Sequence, residues 1–314
     1  MFPIALLLAA AVNLAPGIWV LRHADAPDGF PQGNTTLVVG EEAALVVDSP
    51  YLPSAAQADI QEIRRLTQKP VKFLLNTHWH PDHSRGNSVY AREFPGLAII
   101  AHQETVKLWK LYEPPNLVRY PQRRAATTDP ATAAGMDAVL AELKGHASRG
   151  PELGFDGAIE IDLGGRAVQI RHFGRGHTLG DAAAWVPDAQ VLATGDALVL
   201  PVPYFFNGYP ADLAASLRSM ALLHARVIVP GHGEVQRDNQ AIDREVTLIE
   251  TVRAKVEDEV ARRGSISTRL DDVRKVVDLK VFRAQYAGSD KDRGEEFDEA
   301  ASNLVRLLFE QAPK

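Results

Sequence analysis

The stretch Thr77-His78-Trp79-His80-Pro81-Asp82-His83 constrains this chain more than any other. It places three histidines and one carboxylate within six residues. The apolar run before it, Val71-Lys72-Phe73-Leu74-Leu75-Asn76, reads as a buried strand. Pro81 forbids a continuing helix, so the cluster is expected on a loop at a strand end. Imidazole and carboxylate together suit zinc and similar divalent cations. One site cannot use four side chains so closely spaced. Alternate residues of an extended loop point in opposite directions, so His78 and His80 are expected at one ion and Asp82 and His83 at a second.

The rest of the chain supplies strands and helices in alternation. Thr35–Gly40 and Ala43–Asp48 flank the polar turn Glu41-Glu42 and read as a hairpin. Ile60, Ile63 and Leu66 have helical spacing, with Ser54 as N-cap. Residues 87–94 read as a helix and Leu97–Ala101 as a strand, giving βαβα order with helices covering sheet. Residues 113–157 break the pattern: Pro114, Pro115, Pro121, Pro130 and Pro151 interrupt them, and Met136–Leu143 is the one good helical piece. This segment is expected to be an insertion lying over one face as a lid. Strands resume at 158–161, 167–170, 183–186, 191–193 and 227–229. From Asp238 the chain is mostly helical, with Ile242, Val246, Ile249, Val252, Val256 and Val260 on one stripe, and Leu304, Leu307 and Leu308 in a last helix.

Three further polar motifs fall at strand ends: Gly174-Arg175-Gly176-His177-Thr178-Leu179-Gly180-Asp181, Thr194-Gly195-Asp196 and Pro230-Gly231-His232-Gly233. Glycine beside a ligand lets the backbone turn tightly and approach an ion. Four such strand ends on one rim of a sheet sandwich would converge, supplying seven ligands to two ions that each keep a water position open.

In this order, H-x-H-x-D-H, then a lone histidine, then Gly-Asp, then Gly-His-Gly, the motifs resemble the metallo-β-lactamase superfamily over roughly residues 33–235. The resemblance implies an α+β fold, a four-layer αββα sandwich, here with a helical C-terminal extension. It implies a catalytic domain over 21–237 and the extension over 238–314. It assigns His78, His80 and His177 to a first metal and Asp82, His83 and His232 to a second, with Asp196 bridging, as in hydroxyacylglutathione hydrolases and metal-dependent lactonases. The expected cofactor is two Zn2+ per chain, iron or manganese being the alternatives. Asp48, at a strand end, is expected to support a ligand histidine. Trp79, Tyr204 and the Phe205-Phe206 pair are expected to line the substrate pocket. His23, His102, His146, His172 and His224 lie outside the pattern and are expected to be packing or surface residues.

The implied reaction is hydrolysis of an ester, thioester, lactone or lactam. Two cations sharing a water lower its pKa toward neutrality, and the resulting bridging hydroxide attacks the carbonyl while Asp82 orients it and shuttles a proton. β-Lactamases usually lack a bridging aspartate, and the absence of cysteine excludes their cysteine-ligand subclass. Lactonases often carry tyrosine where this chain has Val199. The alternatives are a β-lactamase and a mononuclear-iron oxidoreductase resembling the persulfide dioxygenases.

Composition sets outer bounds. With 46% hydrophobic and 24% charged residues, the chain suits a soluble globular protein. The net charge of −6 and the lack of a basic block exclude a nucleic-acid binder, leaving a small-molecule substrate. Residues 3–12 form an apolar run too short to span a bilayer, and Ala9-Ala10-Ala11 offers a small-residue cleavage site. Residues 1–20 are therefore expected to be a signal peptide of a periplasmic or secreted protein, with no stable membrane insertion after processing.

Overall fold

A computed structural model of the chain describes residues 11–264 and 267–312. Among them run twelve strands and ten helices. The first sheet has seven strands in sequence order: β1 (Ala11–Ala15), β2 (Ile18–Leu21), β3 (Thr35–Val39), β4 (Ala44–Val47), β5 (Val71–Leu75), β6 (Ala98–His102) and β7 (Leu153–Phe155). Its first four strands are antiparallel, and β4 to β7 are parallel. The second sheet has the order β12 (Val227–His232), β11 (Val191–Val199), β10 (Ala183–Val186), β9 (Ala167–Arg171), β8 (Ala158–Asp162), with only β11 and β12 parallel.

Strand alternation produces the layers. Successive side chains of a strand face opposite ways. On β4, Leu45 and Val47 enter the core between the sheets, while Ala44 and Val46 face outward against α1 (Pro53–Leu66) and α3 (Asn87–Glu93). On β12, Val227 and Val229 enter the same inter-sheet core, while Ile228 packs among α6 (Pro210–Ala221), α7 (Gln240–Arg263) and α10 (Lys291–Gln311). Helix, sheet, sheet and helix follow in that order, the sandwich the sequence implied. The helices after residue 240, with α8 (Leu270–Val276) and α9 (Lys280–Ala287), form the C-terminal extension on the second sheet's outer face.

Local expectations shift in four places. Pro81 does not leave the ligand loop unstructured: it takes the first position of a short helix, α2 (Pro81–Ser84), where its missing amide proton costs nothing. Pro53 does the same for α1, so Leu52 rather than Ser54 is the cap residue. The proline-rich segment is largely helical. α4 (Gln103–Ala126) runs through Pro114, Pro115 and Pro121, and α5 (Pro130–Leu143) starts on an Asp129 side chain that accepts the Thr132 amide at 2.8 Å. Tertiary anchors hold α4 just before its prolines: Glu113, ahead of Pro114-Pro115, is paired with Arg85, and the hydroxyl of Tyr120, ahead of Pro121, donates to Asp28 at 2.6 Å. The segment ends in β7, a strand of the first sheet, so its last residues are not an insertion.

The expected leader is the fourth. Residues 1–10 lie outside the described residues. Ala11–Leu21, however, is built into the first sheet as the β1–β2 hairpin, with Ile18, Val20 and Leu21 buried. A leader boundary at residue 20 would cut through β2, so a removable segment would have to end before β1.

Candidate metal centre

All seven sequence-predicted ligands meet at one rim of the sandwich. His78, His80, Asp82 and His83 come from the turn after β5 and from α2; His177 comes from the loop between β9 and β10; His232 ends β12. Asp196 lies inside β11 rather than at its end. The strand is kinked there by a register shift at Gly195, whose φ is 54°. Glycine is needed at that point, because a Cβ would stand 2.4 Å from the Thr77 hydroxyl. Across the parallel pair, a Cβ on Gly231 would collide with Asp196 Oδ1.

The donor atoms fall into two sets that share Asp196. In the first, His80 Nδ1 lies 3.1 Å from His78 Nε2 and 2.9 Å from His177 Nε2. Asp196 Oδ2 stands 3.7 Å from His78 Nε2 and 3.5 Å from His177 Nε2. In the second, His83 Nε2 lies 3.1 Å from His232 Nε2, 3.4 Å from Asp82 Oδ2 and 3.1 Å from Asp196 Oδ1. His232 Nε2 is 3.0 Å from Asp82 Oδ2 and 3.5 Å from Asp196 Oδ1. The two oxygens of one carboxylate thus face different sets.

These separations test whether cations fit. Four donors around a tetrahedral zinc, each about 2.0–2.1 Å from it, stand about 3.3 Å from one another. The spacings here, from 2.9 to 3.7 Å, bracket that value. The protonation states agree with it. Burial, reinforced by His83, holds His78 well below its ordinary pKa, and burial with His177 lowers His80 to about 3. Both are neutral imidazoles, the form that ligates. Burial alone would raise the Asp82 and Asp196 carboxyls, but the neighbouring imidazoles outweigh it and carry both well below the usual range. Burial opposes protonation of His83 and His232, yet Asp196 and Asp82 raise both, with Asp48 adding to the pull on His83. The second set therefore draws positive charge into a buried site, as a divalent cation requires.

The supporting residues are also buried. Asp48 holds His83 from behind, with Oδ2 2.8 Å from His83 Nδ1, so that Nε2 faces the other donors. Asp181 shapes the His177 turn by accepting the Thr178 amide at 2.8 Å and its hydroxyl at 2.5 Å. The sequence reading missed Thr77, whose amide and hydroxyl both donate to Asp48, and the Arg85–Glu113 pair, which ties the end of α2 to α4. Arg85 lies two residues past the motif, but only the fold brings Glu113 to it. His23 packs beneath the site, bridging the Gly33 carbonyl and Asp59 at 2.8 Å each. His102 stands apart from both donor sets, stacked on His172 with ring centroids 4.1 Å apart.

The expected pocket residues divide. Trp79 is half-buried, its ring 4.3 Å from that of His80. Tyr204 is 43% exposed, 6.2 Å from the His177 ring, and partial burial of its phenol, with Asp82, Asp196 and Glu299 nearby, raises it to about 12. Phe205 is not a pocket residue: it is 3% exposed and belongs to the core beneath α6 and α7. Its neighbours face outward instead: Phe206, the other member of the expected pair, is 46% exposed and stacked on Tyr204.

Comparison with known proteins agrees with this geometry. The Metallo-beta-lactamase superfamily description matches residues 28–232. A linear primary-alkylsulfatase from Pseudomonas sp. (strain ATCC 19151) is 22% identical over 268 residues, covering 80% of this chain and 51% of the relative, so the chain spans about half of that relative's length. Among solved structures, a metallo-beta-lactamase from Pontibacter korlensis aligns with a TM-score of 0.59 at 16% identity, over 77% of this chain and 98% of that one. The DIM-1 metallo-beta-lactamase aligns with a TM-score of 0.56 at 16% identity, over 77% and 97%. At such identities the structural likeness speaks for the fold alone.

Proposed function

This chain belongs to the metallo-beta-lactamase superfamily, and from that premise we propose that it is a dinuclear zinc hydrolase of a small-molecule ester, thioester, lactone or lactam. The observation that carries the proposal is the shared Asp196 carboxylate, with Oδ2 toward His78 and His177 and Oδ1 toward His83 and His232. His78, His80 and His177 would hold one ion, Asp82, His83 and His232 the other, and Asp196 both.

When bound, the two cations supply Lewis acidity for the scissile group and lower the pKa of water to make a nucleophile at neutral pH. The chain's own groups position the rest. Asp48 accepts the His83 Nδ1 proton and fixes that ring's orientation. Asp82 is ionised at neutral pH and stands at the rim, where it can take a proton from an attacking water and return it to the leaving group. Neutral Tyr204 offers a phenolic donor beside His177.

A sulfate ester is the second reading, favoured by the alkylsulfatase relative. Chromogenic lactam, thioester, lactone, sulfate-ester and phosphodiester substrates, assayed with and without chelator, test both. Chelator-sensitive turnover of a carbonyl substrate is expected; turnover of the sulfate ester alone favours the second reading. Turnover of none contradicts both.

No helix among the described residues is long and apolar enough to cross a membrane. We propose export to the periplasm or medium, with a leader preceding β1, on the apolar run in residues 3–12.

A further inference from the structure

An unbroken row of rings crosses the mouth of the site. Tyr112 lies 4.8 Å from Trp79, Trp79 lies 4.3 Å from His80, and His80 lies 4.8 Å from His177, centroid to centroid. Beyond His177 come Tyr204 at 6.2 Å and then Phe206, stacked on Tyr204 at 4.6 Å. The two ligand histidines in the middle are thus flanked on both sides by aromatic pairs. The outer rings are open to solvent: Tyr112 is 42%, Tyr204 43% and Phe206 46% exposed. Large apolar surface left in water beside a reaction centre marks where a ligand is covered.

Both flanks are held in that exposed state from beneath. On one side, α10 reaches the backbone of the aromatic loop: Arg306 Nη2 donates to the Phe206 carbonyl at 2.9 Å and Gln311 Nε2 to the Gly208 carbonyl at 2.8 Å. The Tyr209 amide ties the same loop to the Gly176 carbonyl at 2.7 Å. On the other side, Glu113, next to Tyr112, is locked to Arg85 at 2.7 Å in a pair buried on both partners. Phe205 turns inward between Tyr204 and Phe206, so the outward rings cannot follow it into the core. A rigid, pre-exposed aromatic rim binds apolar groups without an ordering cost.

We propose that this rim seats an extended hydrocarbon group, so that the substrate is an amphiphile whose hydrolysable head lies at His80 and His177 and whose apolar tail covers the flanking rings. The assignment rests on the hydrolase reading for the head group and on the rings alone for the tail. Phe206 has no polar atom, and its stacking on Tyr204 offers ring face rather than hydrogen bonds.

The test uses 1-butanol, 1-hexanol and 1-octanol as ligands that cannot be hydrolysed, titrated against the full chain and followed by tryptophan fluorescence. Binding should tighten about threefold to fourfold for each added methylene. Phe206→Ala and Tyr112→Ala should each reduce the preference for octanol over butanol by about tenfold. Both residues are exposed, so these variants keep the fold. Leu222→Ala, which removes a still more exposed apolar side chain at the end of α6, should leave the preference unchanged. A flat series, or a steep series that neither rim variant alters, overturns the proposal. The chromogenic panel on the same preparations separates the two readings. Chain-length preference without turnover contradicts the hydrolase and leaves the apolar seat standing. Turnover without chain-length preference does the reverse.

Discussion

Asp48 Oδ2 lies 2.8 Å from His83 Nδ1, and the same oxygen accepts the Thr77 hydroxyl at 2.8 Å while Oδ1 accepts the Thr77 amide at 2.7 Å. One buried carboxylate therefore fixes the start and the end of the ligand loop. It does so from a left-handed backbone with φ 62°, which aspartate and asparagine tolerate better than most residues. Asp48→Asn should fold and keep one acceptor oxygen for His83, but it loses the charge and turns an NH2 donor toward the Thr77 amide. The set of Asp82, His83 and His232 should then lose about 10–100-fold in metal affinity, and the His78, His80 and His177 set much less. Competition against a chromophoric chelator measures both steps. Equal weakening of both ions would contradict this role.

His102 accepts the Glu104 amide at 3.3 Å as the cap of α4 and faces neither donor set. His102→Ala should cost about 1 kcal/mol of stability and no metal. Asp82→Ala is its counterpart. It should lose one ion and nearly all turnover with an unchanged far-UV circular dichroism spectrum, because the loop sits at the rim. Metal loss in the His102 variant, or near-normal turnover in the Asp82 variant, would refute the ligand assignment.

The ligand loop is legible in the sequence because four ligands fall within six residues and the other three sit beside glycines at or near strand ends. The layer order is legible because β-branched runs alternate with helical spacing. α4 is not, because Pro114, Pro115 and Pro121 read as breaks, and the contacts that carry the helix through them come from Arg85 and Asp28, distant in sequence. Phe205 is misplaced for a similar reason: composition does not say which of three consecutive aromatics faces the core. The N-terminal hairpin is hidden because a short apolar run serves equally as leader or strand.

Glu245 of α7 is buried among the extension helices. Burial raises its carboxyl to about 8, with Arg244 opposing and Asp196 adding. The folded chain then keeps a proton that the unfolded chain releases near 4.5. Between about 4.5 and about 8 the native state binds the extra proton, so stability from this group falls as pH rises through that window. At about 1.4 kcal/mol per pKa unit, the loss is on the order of a few kcal/mol. Urea midpoints at about pH 5 and about pH 8.5 should differ in the native protein and converge in Glu245→Gln. Parallel pH dependence in the two proteins would rule the effect out.

Deletion of residues 1–10 should leave the melting temperature nearly unchanged, whereas deletion of residues 1–21 should lower it sharply. The longer deletion removes the buried Ile18, Val20 and Leu21, each worth about 1.5–3 kcal/mol, and exposes the edge of β3. Thermal unfolding of the two truncations decides the matter; equal stability would show that the hairpin is dispensable.

Metal analysis of protein purified without added metal tests the central claim most directly. The account predicts close to two zinc ions per chain in the native protein, about one in His232→Ala, and fewer than two in Asp196→Ala with both ions weakened. A well-folded preparation carrying a single iron and no zinc would contradict the dinuclear hydrolase and point to a mononuclear iron oxidoreductase.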